Sequence, residues 1–178
     1  MISYFQFNEA RRSEEIIKRL AAGEKVALVT DAGSPGISDP GERVVRATLS
    51  AGLRVEPVPG PSAVVAALTA SGLPTDEFHF VGFLPNKSTQ RRNRLLRLKP
   101  IPGTLVIYES PYRVEKLLEE LAEIVPDRRV VLAREITKKF EQFLRGKPGE
   151  LLAAIRQRTL KGECVVLVES VDADVETS

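Results

Sequence analysis

Two glycine- and proline-rich stretches carry the residues best suited to chemistry in this 178-residue chain. Asp31-Ala32-Gly33-Ser34-Pro35-Gly36-Ile37-Ser38-Asp39-Pro40-Gly41 follows one apolar run, and Pro59-Gly60-Pro61-Ser62-Ala63 follows another. Glycines let backbone approach a ligand closely and prolines stiffen a turn. Both stretches therefore read as loops at the carboxyl ends of strands, where open α/β sheets bind small molecules. Asp31 is suited to accept hydrogen bonds from a ligand hydroxyl or amine, and Asp39 to cap the following helix. Ser62 stands at a helix N-terminus, whose exposed N–H groups attract carboxylates or phosphates. The plain alternative is a pair of structural turns with capping side chains, each cap worth about 1 kcal/mol. Neither loop holds a nucleophile–histidine pair or a metal-ligand cluster, so the pattern points to a cofactor cradle and no metal. The sole histidine, His79, lies between Phe78 and Phe80 and reads as core or sheet surface; Cys164 opens an apolar strand and reads as core.

Further charged residues gather at other element ends. Gly82-Phe83-Leu84-Pro85-Asn86-Lys87-Ser88 superficially resembles a phosphate-binding loop. Asn86 stands where the second glycine belongs and the spacing is one residue short, which excludes a nucleotide triphosphatase. Directly after it, Lys87, Arg91, Arg92, Arg94, Arg97 and Lys99 put six cations into thirteen residues with no acid among them. Leu95, Leu96 and Leu98 give that helix an inward face. Such a stripe suits RNA phosphates; a merely solvated basic face is the alternative. Tyr108-Glu109-Ser110-Pro111-Tyr112-Arg113 and Arg134-Glu135-Ile136-Thr137-Lys138-Lys139 each end a strand, and Lys161-Gly162-Glu163 precedes the last one.

The elements that must position these residues alternate along the chain. Asn8 caps a helix running to Ala22, Lys25–Thr30 is a strand, a helix runs from Pro40 to Gly52, and Arg54–Pro57 is a short strand. Ser62 opens an apolar helix ending near Gly72, expected to be buried nearly all round. Strand–loop–helix units in this rhythm imply a parallel sheet. Leu73-Pro74-Thr75-Asp76 marks a boundary, giving domains at 1–74 and 75–178. Beyond it come strands at Phe78–Gly82 and Thr104–Glu109 with helices at Ser88–Leu98 and Pro111–Val125. Strands at Arg129–Arg134 and Glu141–Arg145, a helix at Pro148–Gln157 and a strand at Cys164–Glu169 complete it, with some antiparallel pairing. Val171–Ser178 reads as a frayed polar tail. The first half has too few strands to bury both faces of a sheet, as though a leading strand and helix were missing. With 43% hydrophobic and 28% charged residues and a net charge of +2, the composition is that of a soluble globular protein without a global basic field. One cysteine excludes an internal disulfide, and no apolar run is long enough for a bilayer. These features imply a cytoplasmic location with no membrane partner.

Taken in order, the Asp31–Gly41 and Pro59–Ala63 loops, Phe80-Val81-Gly82-Phe83-Leu84-Pro85, Tyr108-Glu109-Ser110-Pro111 and Arg134-Glu135-Ile136-Thr137-Lys138 resemble one family. The chain is similar, from about Ile2 to Glu169, to the bacterial small-subunit (16S) ribosomal RNA cytidine 2'-O-methyltransferases of the tetrapyrrole methylase superfamily. The resemblance implies a class III methyltransferase fold of two α/β domains, the first incomplete here. S-adenosyl-L-methionine would lie between the domains of a homodimer that takes ribosomal RNA or the 30S particle. It assigns cofactor binding to Asp31, Ala32, Gly33, Ser34, Pro35, Pro59, Gly60, Pro61, Ser62, Ala63, Tyr108, Glu109, Ser110 and Glu163. RNA binding falls to Lys87, Arg91, Arg92, Arg94 and Arg97, and candidates for assisting loss of the ribose proton are Lys87, Glu109, Arg113 and Glu135. Members of the family open with a strand, a Pro-Ile-Gly-Asn loop, a helix and an acidic segment that this chain does not carry. Two other readings stand beside the RNA enzyme: a methyltransferase for a tetrapyrrole or other small molecule, and a non-catalytic RNA-binding remnant.

Overall fold

A computed structural model describes residues 1–157 and 160–171, and the chain separates into two compact units, Met1–Ser62 and Ala63–Ser178. The expected boundary at Leu73–Asp76 falls inside the second unit. The helix before that segment buries Val64, Ala67 and Leu68 in an apolar cluster with Val106, Val131 and Leu167. That packing binds the helix to the strands C-terminal to it.

The first unit consists of helices α1 (Glu9–Ala21) and α2 (Glu42–Ser50) with connecting segments. Spacing 13, 16, 17, 20 turns one face of α1 inward, and Ser13 and Ile16 are buried there, as are Val44 and Thr48 of α2. Asn8 starts α1 as expected, but its side chain folds backward: its oxygen accepts from Phe5 N–H at 2.9 Å, and its amide donates to the Ser3 carbonyl at 3.2 Å. Asp39 does not cap α2. Its carboxylate accepts the Thr30 hydroxyl at 2.9 Å, Gly41 takes the cap position, and Glu9 of α1 accepts the Gly41 N–H at 3.2 Å. The strands expected at Lys25–Thr30 and Arg54–Pro57 do not form. A strand exists only through its neighbours, and among the described residues neither segment has a ladder partner; Val29 and Val55 stay exposed at 73% and 38%.

The second unit begins with α3 (Ala63–Thr69) and continues β1 (Phe78–Phe83), α4 (Ser88–Leu98), β2 (Thr104–Glu109), α5 (Val114–Ile124), β3 (Val130–Arg134), β4 (Gln142–Gly146), α6 (Pro148–Arg156) and β5 (Cys164–Val168). These match the expected elements to within a few residues, apart from the tail, which from residue 172 lies outside the described residues. Strand order is β1-β2-β5-β3-β4, with β1 and β2 parallel and every other pair antiparallel. This is the mixed pairing expected of the second half, whereas the parallel sheet implied by the first half does not form among that half's described residues. Period-two alternation sends Leu105, Ile107, Leu132 and Val166 toward α4, α5 and α6, and Val106, Val131, Val165 and Leu167 toward α3. β5, central and covered on both faces, is buried at every residue. α3 is shorter than expected and only one face is buried, Val65 remaining 53% exposed.

Candidate active site

Strand register brings three of the singled-out segments to one end of the second-unit sheet. Glu109, the last residue of β2, pairs across β5 with Cys164, which pairs in turn with Arg134 of β3. Ser110, Glu135 and Glu163 are their immediate chain neighbours and so lie at the same edge. The Glu109 side chain is wholly buried. Its Oε1 accepts the Ser110 N–H at 2.8 Å and lies 3.1 Å from Arg113 Nε, an ion pair whose N–H is not aimed as a hydrogen bond. Its Oε2 is buried with no hydrogen-bond partner among the described residues. Burial pushes the Glu109 carboxyl above its ordinary range, against the pull of the Ser110 N–H and Arg113. A buried acceptor with a vacant lone pair is a costly arrangement, and such groups concentrate at sites that receive a donor from outside.

Glu135 has the opposite environment. Its Oε1 accepts the Glu163 N–H at 3.0 Å and Lys138 Nζ at 3.1 Å, and these bonds, the backbone one first, hold its carboxyl below the usual range. Lys138 also reaches Glu163 at 2.9 Å. Glu135 and Thr137 have φ of 49° and 66°, a left-handed turn in non-glycine residues, which costs energy and clusters at functional sites. Gly162 suits this turn because its φ of 87° strains other residues, and a Cβ there would also push the Glu135 carboxylate from its place. Cys164 is buried, and its thiol is pushed up to about 11 by desolvation, which removes it as a nucleophile. Tyr108 makes edge-to-face contacts with Phe80 and Phe83, ring centres 4.9 and 5.8 Å away.

The two first-unit loops are joined directly: Ser34 Oγ donates to the Pro61 carbonyl at 3.2 Å. Asp31, Ala32, Gly33, Pro35, Pro59, Gly60 and Pro61 are exposed, Ser62 is half-buried, and a Cβ on Gly33 would meet nothing within 4 Å. Open backbone of this kind, with an exposed carboxylate beside it, fits a polar small molecule. Ala63 belongs instead to the α3 cluster against the sheet. Among the described residues no group of three metal-ligating side chains forms.

Arg91 does not join the cationic face expected of α4. Spacing 91, 95, 98 places it on the buried line with Leu95 and Leu98, whereas Leu96 points outward at 48% exposure. Its guanidinium grips Glu120 of α5 through Nε–Oε2 at 2.7 Å and Nη2–Oε1 at 2.8 Å. Arg92 pairs with Glu123 at the surface, leaving Lys87, Arg94, Arg97 and Lys99 exposed. Sequence reasoning did not single out Arg134 by itself, whose Nε is buried without a hydrogen-bond partner among the described residues. The four-residue spacing of Glu109 and Arg113 was a local signal for their ion pair.

The second unit's mixed sheet with helices on both faces is a fold shared with solved methyltransferases. CobJ superposes with a TM-score of 0.68 at 23% identity over 92% of this chain and 72% of that one. The uroporphyrin-III C-methyl transferase of Thermus thermophilus, solved in complex with S-adenyl homocysteine, gives 0.59 at 20% identity over 92% and 74%. The model of the tetrapyrrole (corrin/porphyrin) methylases matches residues 4–152, and the chain belongs to that family. The ribosomal RNA small subunit methyltransferase I of Halalkalibacterium halodurans is 43% identical over 176 residues. That alignment takes in 99% of this chain and 61% of the relative, so the chain spans about three fifths of the relative's length.

Proposed function

We propose that this chain is the greater part of an S-adenosylmethionine-dependent methyltransferase that modifies the ribose 2'-hydroxyl of a cytidine in small-subunit ribosomal RNA. The observation that carries the reading is the 43% identity to a ribosomal RNA methyltransferase along nearly the whole chain. Family membership and the joined first-unit loops support it. When bound, the cofactor would supply an electrophilic methyl carbon that the 2'-oxygen takes in line, the C–S bond breaking to leave the thioether and the hydroxyl proton departing. The Asp31–Pro35 and Pro59–Ser62 loops present open backbone and the Asp31 carboxylate to the cofactor. Of the four candidates for the proton, Glu109 is the best fitted. It alone combines a vacant buried oxygen with an elevated pKa. Glu135 is occupied by Glu163 and Lys138, and Arg113 by backbone carbonyls. Exposed Lys87, Arg94 and Arg97 meet RNA phosphates. The enzyme would act in the cytoplasm, as a homodimer, on ribosomal RNA or the 30S particle.

Calorimetric titration with S-adenosylmethionine, followed by transfer of labelled methyl to small-subunit RNA or particles, tests this. Binding with thermal stabilisation, and label in RNA that is lost in Glu109→Gln, is the expected result. Absence of cofactor binding overturns the enzyme reading for this chain; label entering a tetrapyrrole but not RNA overturns the substrate.

A further inference from the structure

The loop between β1 and α4 is held far more firmly than its lack of regular structure requires. The guanidinium of Arg113 donates from Nη2 to the Leu84 carbonyl at 2.8 Å and the Pro85 carbonyl at 3.3 Å, and from Nη1 to the Asn86 side-chain oxygen. From the other side, Arg91 Nη1 donates to the Asn86 carbonyl at 3.2 Å while its remaining nitrogens hold Glu120. Ser88 Oγ also donates to Glu120 at 2.9 Å. Leu84 is buried. The next residue after Asn86, Lys87, is exposed, and its side chain makes no hydrogen bond or ion pair with the described residues. Two arginines thus fix the three residues immediately before an exposed cation.

A planar guanidinium with several fixed donors can bridge three consecutive acceptors; an ammonium of the same charge cannot. Holding a ligand-facing side chain on a pre-ordered backbone lowers the entropy lost on binding. We propose that Arg113, braced by the buried Glu109, is a positioning residue which together with Arg91 clamps the Leu84–Ser88 loop and presents Lys87 to an RNA phosphate. The inference rests on the proposed action on RNA and names which contact the clamp serves. The other α4 cations rise from helix and need no such support.

The test uses the 178-residue chain, a short fluorescent single-stranded RNA, and the variants Lys87→Ala, Arg113→Lys and the double substitution. For a single-strand phosphate contact, Lys87→Ala lowers the slope of log affinity against log salt by about 0.7. Arg113→Lys, which keeps the charge, is expected to lose the same amount, and the double variant no more than either single. Backbone order parameters for Asn86–Ser88 should fall in Arg113→Lys from about 0.85 toward 0.6 or below while those of β5 stay unchanged, which separates a released loop from a misfolded chain. If the wild-type chain binds no RNA, the RNA reading falls and the assignment of Lys87 with it. Should RNA bind but Arg113→Lys keep the full salt slope, or add to Lys87→Ala, only the clamp fails. Unchanged loop order in Arg113→Lys also overturns it.

Discussion

Glu109 and Glu135 stand at the ends of β2 and β3, on either side of β5, and their surroundings drive them apart. Burial raises one carboxyl; the Glu163 N–H and Lys138 lower the other. Side-chain NMR titration should therefore find Glu109 with a midpoint above the ordinary 4.5 and Glu135 below it; the reverse order would sink the site geometry. The two act oppositely on stability. As the pH rises from the unfolded to the elevated folded midpoint of Glu109, the folded chain holds the extra proton, so ionisation there progressively costs stability. Glu135 contributes stability above its unfolded midpoint and loses it as the pH falls through its depressed one. The sequence marked both glutamates as candidates but could not rank them, because their ranking comes from atoms supplied by Ser110, Glu163 and Lys138.

At the scale of elements, α4 and α5 are tied by a buried ion pair as well as by leucines. Truncating Arg91 to Ala leaves Glu120 buried with only the Ser88 hydroxyl, which should cost about 3–5 kcal/mol in urea unfolding. Arg94→Ala, on the exposed side of the same helix, should stay within about 0.5 kcal/mol. Equal costs for the two would contradict the orientation of α4. The helix itself was legible from Ser88 to Leu98, as was the run of cations. Composition was the misleading signal: an arginine among arginines was assigned to the surface, although it occupies the position four residues before Leu95 that helical geometry turns inward.

Across the molecule the core is unevenly shared. Of the buried apolar residues, Ile16 and Val44 belong to Met1–Ser62, while the remainder lie in the second unit. Native-state amide exchange should accordingly find α1 and α2 opening at lower free energy than β5 and α5. Protection in α1 as strong as in β5 would refute this.

The chain's own pattern determined the second unit almost completely. β2, β3 and β5 are rich in β-branched residues, β1 in aromatic ones, and the longer helices are amphipathic; these signals depend on a few consecutive residues. The same local signal suggested strands at Lys25–Thr30 and Arg54–Pro57, which find no ladder partner among the described residues. Tertiary structure alone decided which candidates share an edge, which cation is buried and which carboxylate keeps a vacant oxygen. Those outcomes depend on atoms brought together from distant positions: Arg91 with Glu120, Glu109 with Cys164, and Arg113 with Leu84. Solvation, charge and hydrogen-bond competition act at those contacts, and local sequence periodicity carries no record of them.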